Sequence, residues 1–579
     1  MNPPNPSATP PSQGWSWIRR LLATGLILGT LGALTVAIEN WRGAQALQQL
    51  QRDLRAAGLP LRLEEAAPSP VPDNRNLAMA PGLESLLDYR RETVDVIREG
   101  IPWTEEIQWG DPVESARLSV ATVTPPETRI KEPRSTDWTQ GKSIPLAEWQ
   151  SYYRALAART NRAETAERSK DGKVRLPEDV AARYGVPADL SLHGLNDFFR
   201  YRRYPVPPVP GDPATDVLQA LELAGADVDV LQAALRDRPE CRFPVHYAER
   251  PSWGILLPHL AKVRQLSTFL RLRACARLSA KDAGGALRDI ELALRLTEGL
   301  RAEPLQISQW VREACIQSWL QPVWEGLAAN RWSPDELARL DQLLATVDPQ
   351  SGISAALLGT LHLGDDSAMN STARARLLDL QSQRPGRDEA IASGAEARAE
   401  IFIRWAPQGW FDQNRVRTTR RYWQMLSNHL AWTGTPAVRN WLDEPDSPPY
   451  TAGPYSFLEY EFNPRLSFRR LIPALIRCTA RVHMARTAVA LERCRQRRGT
   501  HPATLAELVP EFLASVPPDP IDRQPLRYRH LPDTGGFVLY SIGLDGRDDE
   551  ALIIDDRRDL FEPQTHGTGD WVWPRRDLP

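Results

Sequence analysis

The 579-residue chain is poor in the residue types that most often carry chemistry: it has nine histidines and five cysteines. It holds no G-x-S-x-G elbow, no H-E-x-x-H, no phosphate-cradling P-loop and no dinucleotide glycine motif. These absences argue against the common hydrolase, metalloprotease and nucleotide-binding designs. The cysteines (Cys241, Cys275, Cys315, Cys478, Cys494) are odd in number and include no C-x-x-C pair, which speaks against a thiol-ligated zinc site or a redox motif. Cys478 and Cys494 fall on one predicted helix about 24 Å apart along its axis, beyond disulfide reach. Cys275 with Cys315 stays geometrically open, and buried free thiols are the simpler expectation. A net charge of −2 leaves no electrostatic footprint for nucleic acid. Lysine is nearly missing, at six of 71 basic residues, a bias that reads as coding preference more than as phosphate recognition.

One stretch lacks charge altogether. Leu21 to Ile38 is an uncharged run of eighteen residues, and as a helix it spans roughly 27 Å, close to the hydrocarbon core of a bilayer. Trp17 and Trp41 bracket it, with Trp15 just outside, where aromatic rings favour the headgroup zone. Arg19 and Arg20 are the only charged side chains before it; Glu39, Arg42, Arg52, Asp53 and Arg55 follow it. The positive-inside rule then puts residues 1–20 in the cytoplasm and the rest outside. A cleaved secretory signal is the competing reading, since Thr35-Val36-Ala37 offers small residues before a cut. The apolar core is long for a signal, so a retained anchor is favoured, and both readings export the chain. Gly25 and Gly29 form a small-xxx-small pair that could join two anchors, although a monomeric anchor needs nothing from it.

What remains is enough chain for several cores. Fifty prolines predict many loops, yet 42% hydrophobic residues and 19 tryptophans argue against wholesale disorder. Residues 1–20 form a polar tail, disordered over its Pro/Ser/Asn-rich first sixteen residues, and 21–38 the transmembrane helix. Residues 39–190 carry a juxtamembrane helix, a Pro-rich linker and a mixed region, with a strand expected at Leu118–Val123 and a charged loop at Arg162–Lys173. An all-α domain follows over 191–350, with helices predicted at Thr215–Arg236, Leu256–Ala280, Gly285–Leu300, Leu305–Ala328 and Ser333–Ala345. Lys281-Asp-Ala-Gly-Gly285 closes an antiparallel helix pair there, with Ala286 and Ala293 small where the helices approach. This hairpin resembles a tetratricopeptide unit over roughly 30 residues, without a second copy at a fixed period. Residues 351–465 read as helices with long irregular connections, Asn440–Pro464 among them. A new unit begins at 466: a long helix from Phe468 to Arg498, a short helix through Pro502–Pro510, and paired strands at 526–529 and 537–541 joined by Pro532-Asp-Thr-Gly-Gly536. The expected fold is therefore mainly α, with a small C-terminal α+β domain at 466–579.

Long helix, short helix, the Val516-Pro-Pro-Asp-Pro520 loop and a sheet ending in Ser541-Ile-Gly-Leu-Asp-Gly546 make an ordered set of motifs. Over residues 490 to 573 that set resembles the globular part of type II secretion major pseudopilins. It departs from them in one large way, because over 400 residues separate the membrane run from the long helix, so the resemblance implies the fold and not polymerisation. It also implies a calcium ion in the loop after the last strand. The matching positions are Asp545, with Asp548 or Asp549, Ile542 as a carbonyl ligand, and Asp570 closing the loop. Calcium takes six to eight oxygens, which a glycine-bent acidic loop can supply; a solvated acidic turn accounts for the same residues. Trp571 and Trp573 read as sealing a core. Across its length the chain also resembles a bacterial family of single-pass exported proteins without established activity, through Val71-Pro-Asp-Asn-Arg-Asn-Leu-Ala-Met79, Phe243-Pro-Val-His246, Trp324-Glu-Gly-Leu327 and Asp570-Trp-Val-Trp573.

His246 with Glu249, and His259, form the densest His/acid group in the helical region and could pair a general base with its orienter. Hydrogen-bonded packing histidines explain the pattern as well. His362 with Asp365 and Asp366 reads either as a metal patch or as a polar helix end. The expectation is a membrane-anchored extracytoplasmic interaction or scaffold protein of the cell inner membrane. Its bulk would be periplasmic, with protein partners in an envelope or secretion assembly and no nucleic acid. The alternatives are an exported hydrolase with an unrecognised active site and a calcium-stabilised spacer.

Overall fold

The computed structural model describes residues 14–80, 83, 89–92, 96–98, 101–103, 106–109, 132–133, 138–159, 204–249, 255–368, 406–431, 464–533, 535–552 and 569–574. The strand expected at Leu118–Val123, the loop Arg162–Lys173 and nearly all of Asn440–Pro464 lie outside these residues, as do residues 1–13 of the N-terminal tail. The described chain is mostly helical, with few strands.

Helix α1 (Gly14–Ala56) carries the apolar run and continues past it without a break. Among the described residues it is the one helix long and apolar enough to cross a membrane, and none of its most apolar window is buried inside the protein. Beyond the run its outer part turns one face inward: Leu50 and Leu54 are buried with Val416. Strands β1 (Tyr89–Glu92) and β4 (Glu106–Trp109) pair antiparallel, as do β2 (Val96–Arg98) and β3 (Ile101–Trp103).

The helices of the body are α2 (Leu146–Arg159), α3 (Pro213–Ala234), α4 (Pro258–Ser279), α5 (Ala283–Gly299), α6 (Gln306–Ala328), α7 (Pro334–Ala345) and α8 (Ile353–Ala368). Their ends follow local chemistry. Asp212 accepts the Thr215 N–H ahead of Pro213 at the start of α3, and a Ser333/Glu336 capping box opens α7. Asp282 accepts the Gly285 N–H at 2.8 Å and so starts α5 directly after α4 ends. Helices α4, α5 and α6 pack on one another, with Ala286 and Ala293 buried where the sequence placed small residues.

Helix α9 (Gln408–Ala431) lies along α1 and also touches α8. Helix α10 (Pro464–Arg498) packs on α6 and α7 and carries the sheet of β5 (Arg527–Leu531), β6 (Gly536–Ser541) and β7 (Trp571–Val572), in that order and antiparallel. One apolar core runs from Leu77 to Trp573, so these strands share it with the central helices. The tryptophans near the C-terminus are what close it. Trp573 meets Trp138 at 5.4 Å between ring centroids, Arg477 lies over Trp571, and Trp324 Nε1–H donates to the Pro574 carbonyl at 2.9 Å.

A buried charge cluster ties α3, α4 and α5 together. Asp289 is fully buried and accepts from Arg273 Nη2 at 2.6 Å, Arg277 Nη1 at 2.9 Å and Gln232 Nε2 at 2.7 Å. Arg273 is itself 1% exposed and reaches Asp229 at 3.0 Å. Removing one member strands the others in a low dielectric, which costs more than the pair contributes as a whole. Asp289→Asn is expected to lower the unfolding free energy by about 3–5 kcal/mol, read by chemical denaturation. A loss no larger than that of an exposed ion pair would show that the cluster is hydrated and dispensable.

Candidate functional site

The four carboxylates singled out at the C-terminus sit around the exit of β6 and the entry of β7. The segment leading there is fixed first. Thr504 and Glu507 form a capping box on the 3-10 turn Leu505–Leu508, and the next loop is organised by Asp519. That side chain is fully buried. It accepts from the Ile521 N–H at 3.0 Å, Ser541 Oγ at 2.8 Å and the Ile542 N–H at 3.1 Å. Burial pushes its carboxyl above the usual range, against the pull of those donors. Asp519 therefore staples the Asp-Pro loop to the end of β6. Sequence reasoning noticed the loop as a motif and missed its function, because the partners lie 22 and 23 residues away.

After Ser541 the chain turns through Gly543, whose φ is +67°. A Cβ there would collide with the Gly569 carbonyl, so glycine is required both for the backbone angle and for the approach of the returning strand. Asp570 is buried at 3% exposure; its Oδ2 accepts the Ala551 N–H at 2.7 Å. Burial raises its carboxyl above the ordinary range, and the charges of Asp548 and Asp549 add to the rise. Asp545 caps the Arg547 N–H at 3.1 Å. Asp548 is exposed and already engaged, by Tyr540 O–H at 2.9 Å and the Glu550 N–H at 3.2 Å, with Arg527 Nε 3.6 Å away. Asp549 offers its carbonyl to the Leu552 N–H.

Among the described residues no group of three His, Cys, Asp or Glu side chains gathers as a metal site. What the loop offers a hard cation is narrower. Asp545 Oδ2 and Asp570 Oδ1 are both buried and have no hydrogen-bond partner, and buried carboxylate oxygens are normally satisfied. They lie on the segments that leave β6 and enter β7, where Gly543 meets Gly569.

The histidine group resolves differently. His259 is fully buried at the start of α4, stacked on Phe243 at 5.0 Å, and its Nε2 lies 3.0 Å from Glu303. Ser308 donates to the same carboxylate. His246 is exposed, on the turn closed by the Glu249 N–H to its carbonyl. His259 and Glu303 thus make an internal strut between α4 and the α5–α6 connection, sealed from solvent. Glu303 was invisible as a partner because it lies 44 residues along the chain. The side chains of His362, Asp365 and Asp366 lie outside the description. All five cysteines are free and buried. Burial pushes the Cys241 thiol up to about 12 and the Cys315 thiol to about 11, so neither supplies a thiolate nucleophile at neutral pH.

No protein-family model, curated protein or solved structure matches the chain.

His483 of α10 holds the Asp519 loop from the other side, its Nδ1 2.7 Å from the Pro518 carbonyl. Burial lowers its pKa below the ordinary 6.5, opposed by that hydrogen bond and by Asp348 and Asp519, with Arg486 adding to the fall. The fold therefore holds the neutral ring. Its stabilisation is complete above the ordinary value and is lost as pH falls through it towards the depressed one. Urea titrations should show stability declining between about pH 7 and 5, with a shallower decline in His483→Gln. Equal slopes for the two proteins would remove His483 from the acid response.

Proposed function

We propose that the chain is a membrane-anchored extracytoplasmic interaction protein, held in the cell inner membrane by residues 21–38. On this reading residues 1–20 face the cytoplasm and the body stands in the periplasm. The observation that carries it is α1: a helix whose apolar window is wholly exposed, yet whose continuation is built into the folded body through Leu50 and Leu54. An exposed apolar helix of this length needs a lipid environment, and a helix that then joins a core is retained with it. The resemblance to pseudopilins and to exported single-pass proteins supports a site of action in an envelope or secretion assembly. The order α10, capped turn, Asp-Pro loop and three-stranded sheet agrees with that resemblance. Its C-terminal part is the surface we assign to envelope partners. The rival reading as an exported hydrolase through His246, Glu249 and His259 finds less support, since His259 is sealed against Glu303.

Two measurements bear on this. Reporter fusions should place the N-terminus inside and residue 579 outside, and the full chain should resist alkaline extraction from membranes. A cytoplasmic C-terminus would overturn the proposal. Affinity capture after cross-linking in native membranes should return the same envelope protein repeatedly, and its consistent absence would remove the interaction reading.

The loop of Asp545 and Asp570 supports a calcium ion as a structural part of the same protein. Calcium would supply positive charge to two oxygens that nothing else satisfies. With its pKa raised by burial, the Asp570 carboxyl contributes stability below the ordinary carboxylate range and loses it as pH rises through the folded value. Metal-free protein at neutral pH should therefore tolerate Asp570→Asn or gain stability from it. Calcium at a hundred times its dissociation constant should stabilise the wild-type chain by about 2.7 kcal/mol and leave the variant unmoved. If chelator leaves the melting temperature of the full chain unchanged, the ion is excluded.

A further inference from the structure

We propose that His501 is a pH-operated latch, whose ring on taking up a proton lets the β5–β6 hairpin lift off the end of α10. The latch requires neither a bilayer nor a metal. Cross-strand pairing of His530 with Phe537 and of Tyr528 with Leu539 puts these four side chains on one face of the hairpin. Two contacts hold that face to the segment that follows α10. Tyr528 O–H donates to the Pro502 carbonyl at 2.7 Å, and the His501 ring meets Phe537 edge to face at 5.0 Å between centroids. The same ring hydrogen-bonds to the Leu491 carbonyl of α10. One side chain therefore bridges helix and sheet, and it is only 8% exposed.

The site accepts a neutral imidazole and has no provision for a charged one. Nδ1 is buried and has no hydrogen-bond partner, as suits a ring whose one N–H is already used on Leu491. A second proton there would bury an N–H without an acceptor and a charge beside an aromatic ring. The surrounding charges do not compensate. Glu492 faces the ring from α10, but it already accepts from Arg495 Nη2 at 2.6 Å, Arg495 Nε at 2.7 Å and Gln496 Nε2 at 3.0 Å. Arg495 opposes added charge, as does His530, which faces the ring from β5; β6 presents Phe537. Burial holds the ring's pKa below the ordinary 6.5. The closed hairpin is thus fully stabilised above the ordinary value and loses that contribution as pH falls through it towards the depressed one. His483 grips a different segment, the Pro518 loop, so the two histidines can be told apart.

The test is hydrogen exchange of the full chain, read by mass spectrometry at about pH 7.5 and about pH 5.5, either side of the histidine range, and corrected for intrinsic rates. In the wild type the opening constant of residues 527–541 should rise below the ordinary histidine value, by up to about tenfold per pH unit. The amides of α4, α5 and α6 should keep their protection over the same interval. His501→Gln, which has no titrating ring, should abolish the rise. Should that variant fail to fold, His501→Phe keeps an aromatic ring against Phe537 and takes no proton. Equal hairpin protection at the two pH values overturns the latch. A rise that persists in the His501 variants overturns it too, and assigns the response to His530 or His483. Hairpin and central helices losing protection together would mean global acid unfolding, which is equally fatal to it.

Discussion

A long unbroken helix whose apolar run lies outside the body has to be held from the side, and that constraint organises the chain. Helix α1 satisfies its own backbone hydrogen bonds from the apolar run into the body, so it leaves that run as a rod rather than a hinge. A rod can be joined to a body only by lateral packing. Here the joint is glycine against glycine, Gly43 and Gly409, with Asn40 closing it by a hydrogen bond. Helix α9 then passes the connection to α8, and α8 to α6 at the centre of the body. The orientation of α1 on the body follows from this sequence of contacts.

The same logic alters how the two ends of the chain relate. Over 400 residues separate the apolar run from the long helix α10, which at the level of sequence suggests a tether with reach. Separation along the chain is not separation in space. The core that starts at Leu77 continues through α4, α5 and α6 to Trp573, and Trp138, Trp324, Trp571 and Trp573 seal its far side. Arg486 of α10 also reaches Asp341 of α7 at 2.8 Å. The C-terminal strands are thereby part of the body and share its core with the central helices.

Much of the helical body was legible because its determinants are local. The Ser333/Glu336 box, Asp282 before Gly285, and the 3.6-residue spacing of Leu287, Ile290 and Leu294 each lie within a turn or two of what they specify. The hairpin of β5 and β6 was legible for the same reason, its turn falling between two short alternating runs. Other features depend on partners that one sequence does not announce. Glu303 for His259, Ser541 for Asp519 and Gly409 for Gly43 are separated by 44, 22 and 366 residues. The acidic C-terminal positions were found by their pattern. Which of them are already spent on neighbours, Asp548 on Tyr540 and Arg527, is decided by side-chain geometry.

A net charge of −2 conceals how the charges are distributed. In the body they cancel at close range: Asp289 with Arg273 and Arg277, Glu298 with Arg312, Asp341 with Arg486 and Arg493. Those pairs cross between helices and so constrain packing more than they add net attraction. Among the described residues, imbalance survives on a C-terminal loop. It runs from Asp545 to Glu550 and faces Asp570, and its acids outnumber the nearby Arg527 and Arg547. A fold that neutralises its interior so thoroughly gains nothing in stability from leaving like charges together at its edge. Acids crowd together on this loop, where solvent screens most of them, whereas Asp289, Glu298 and Asp341 between the helices each face an arginine.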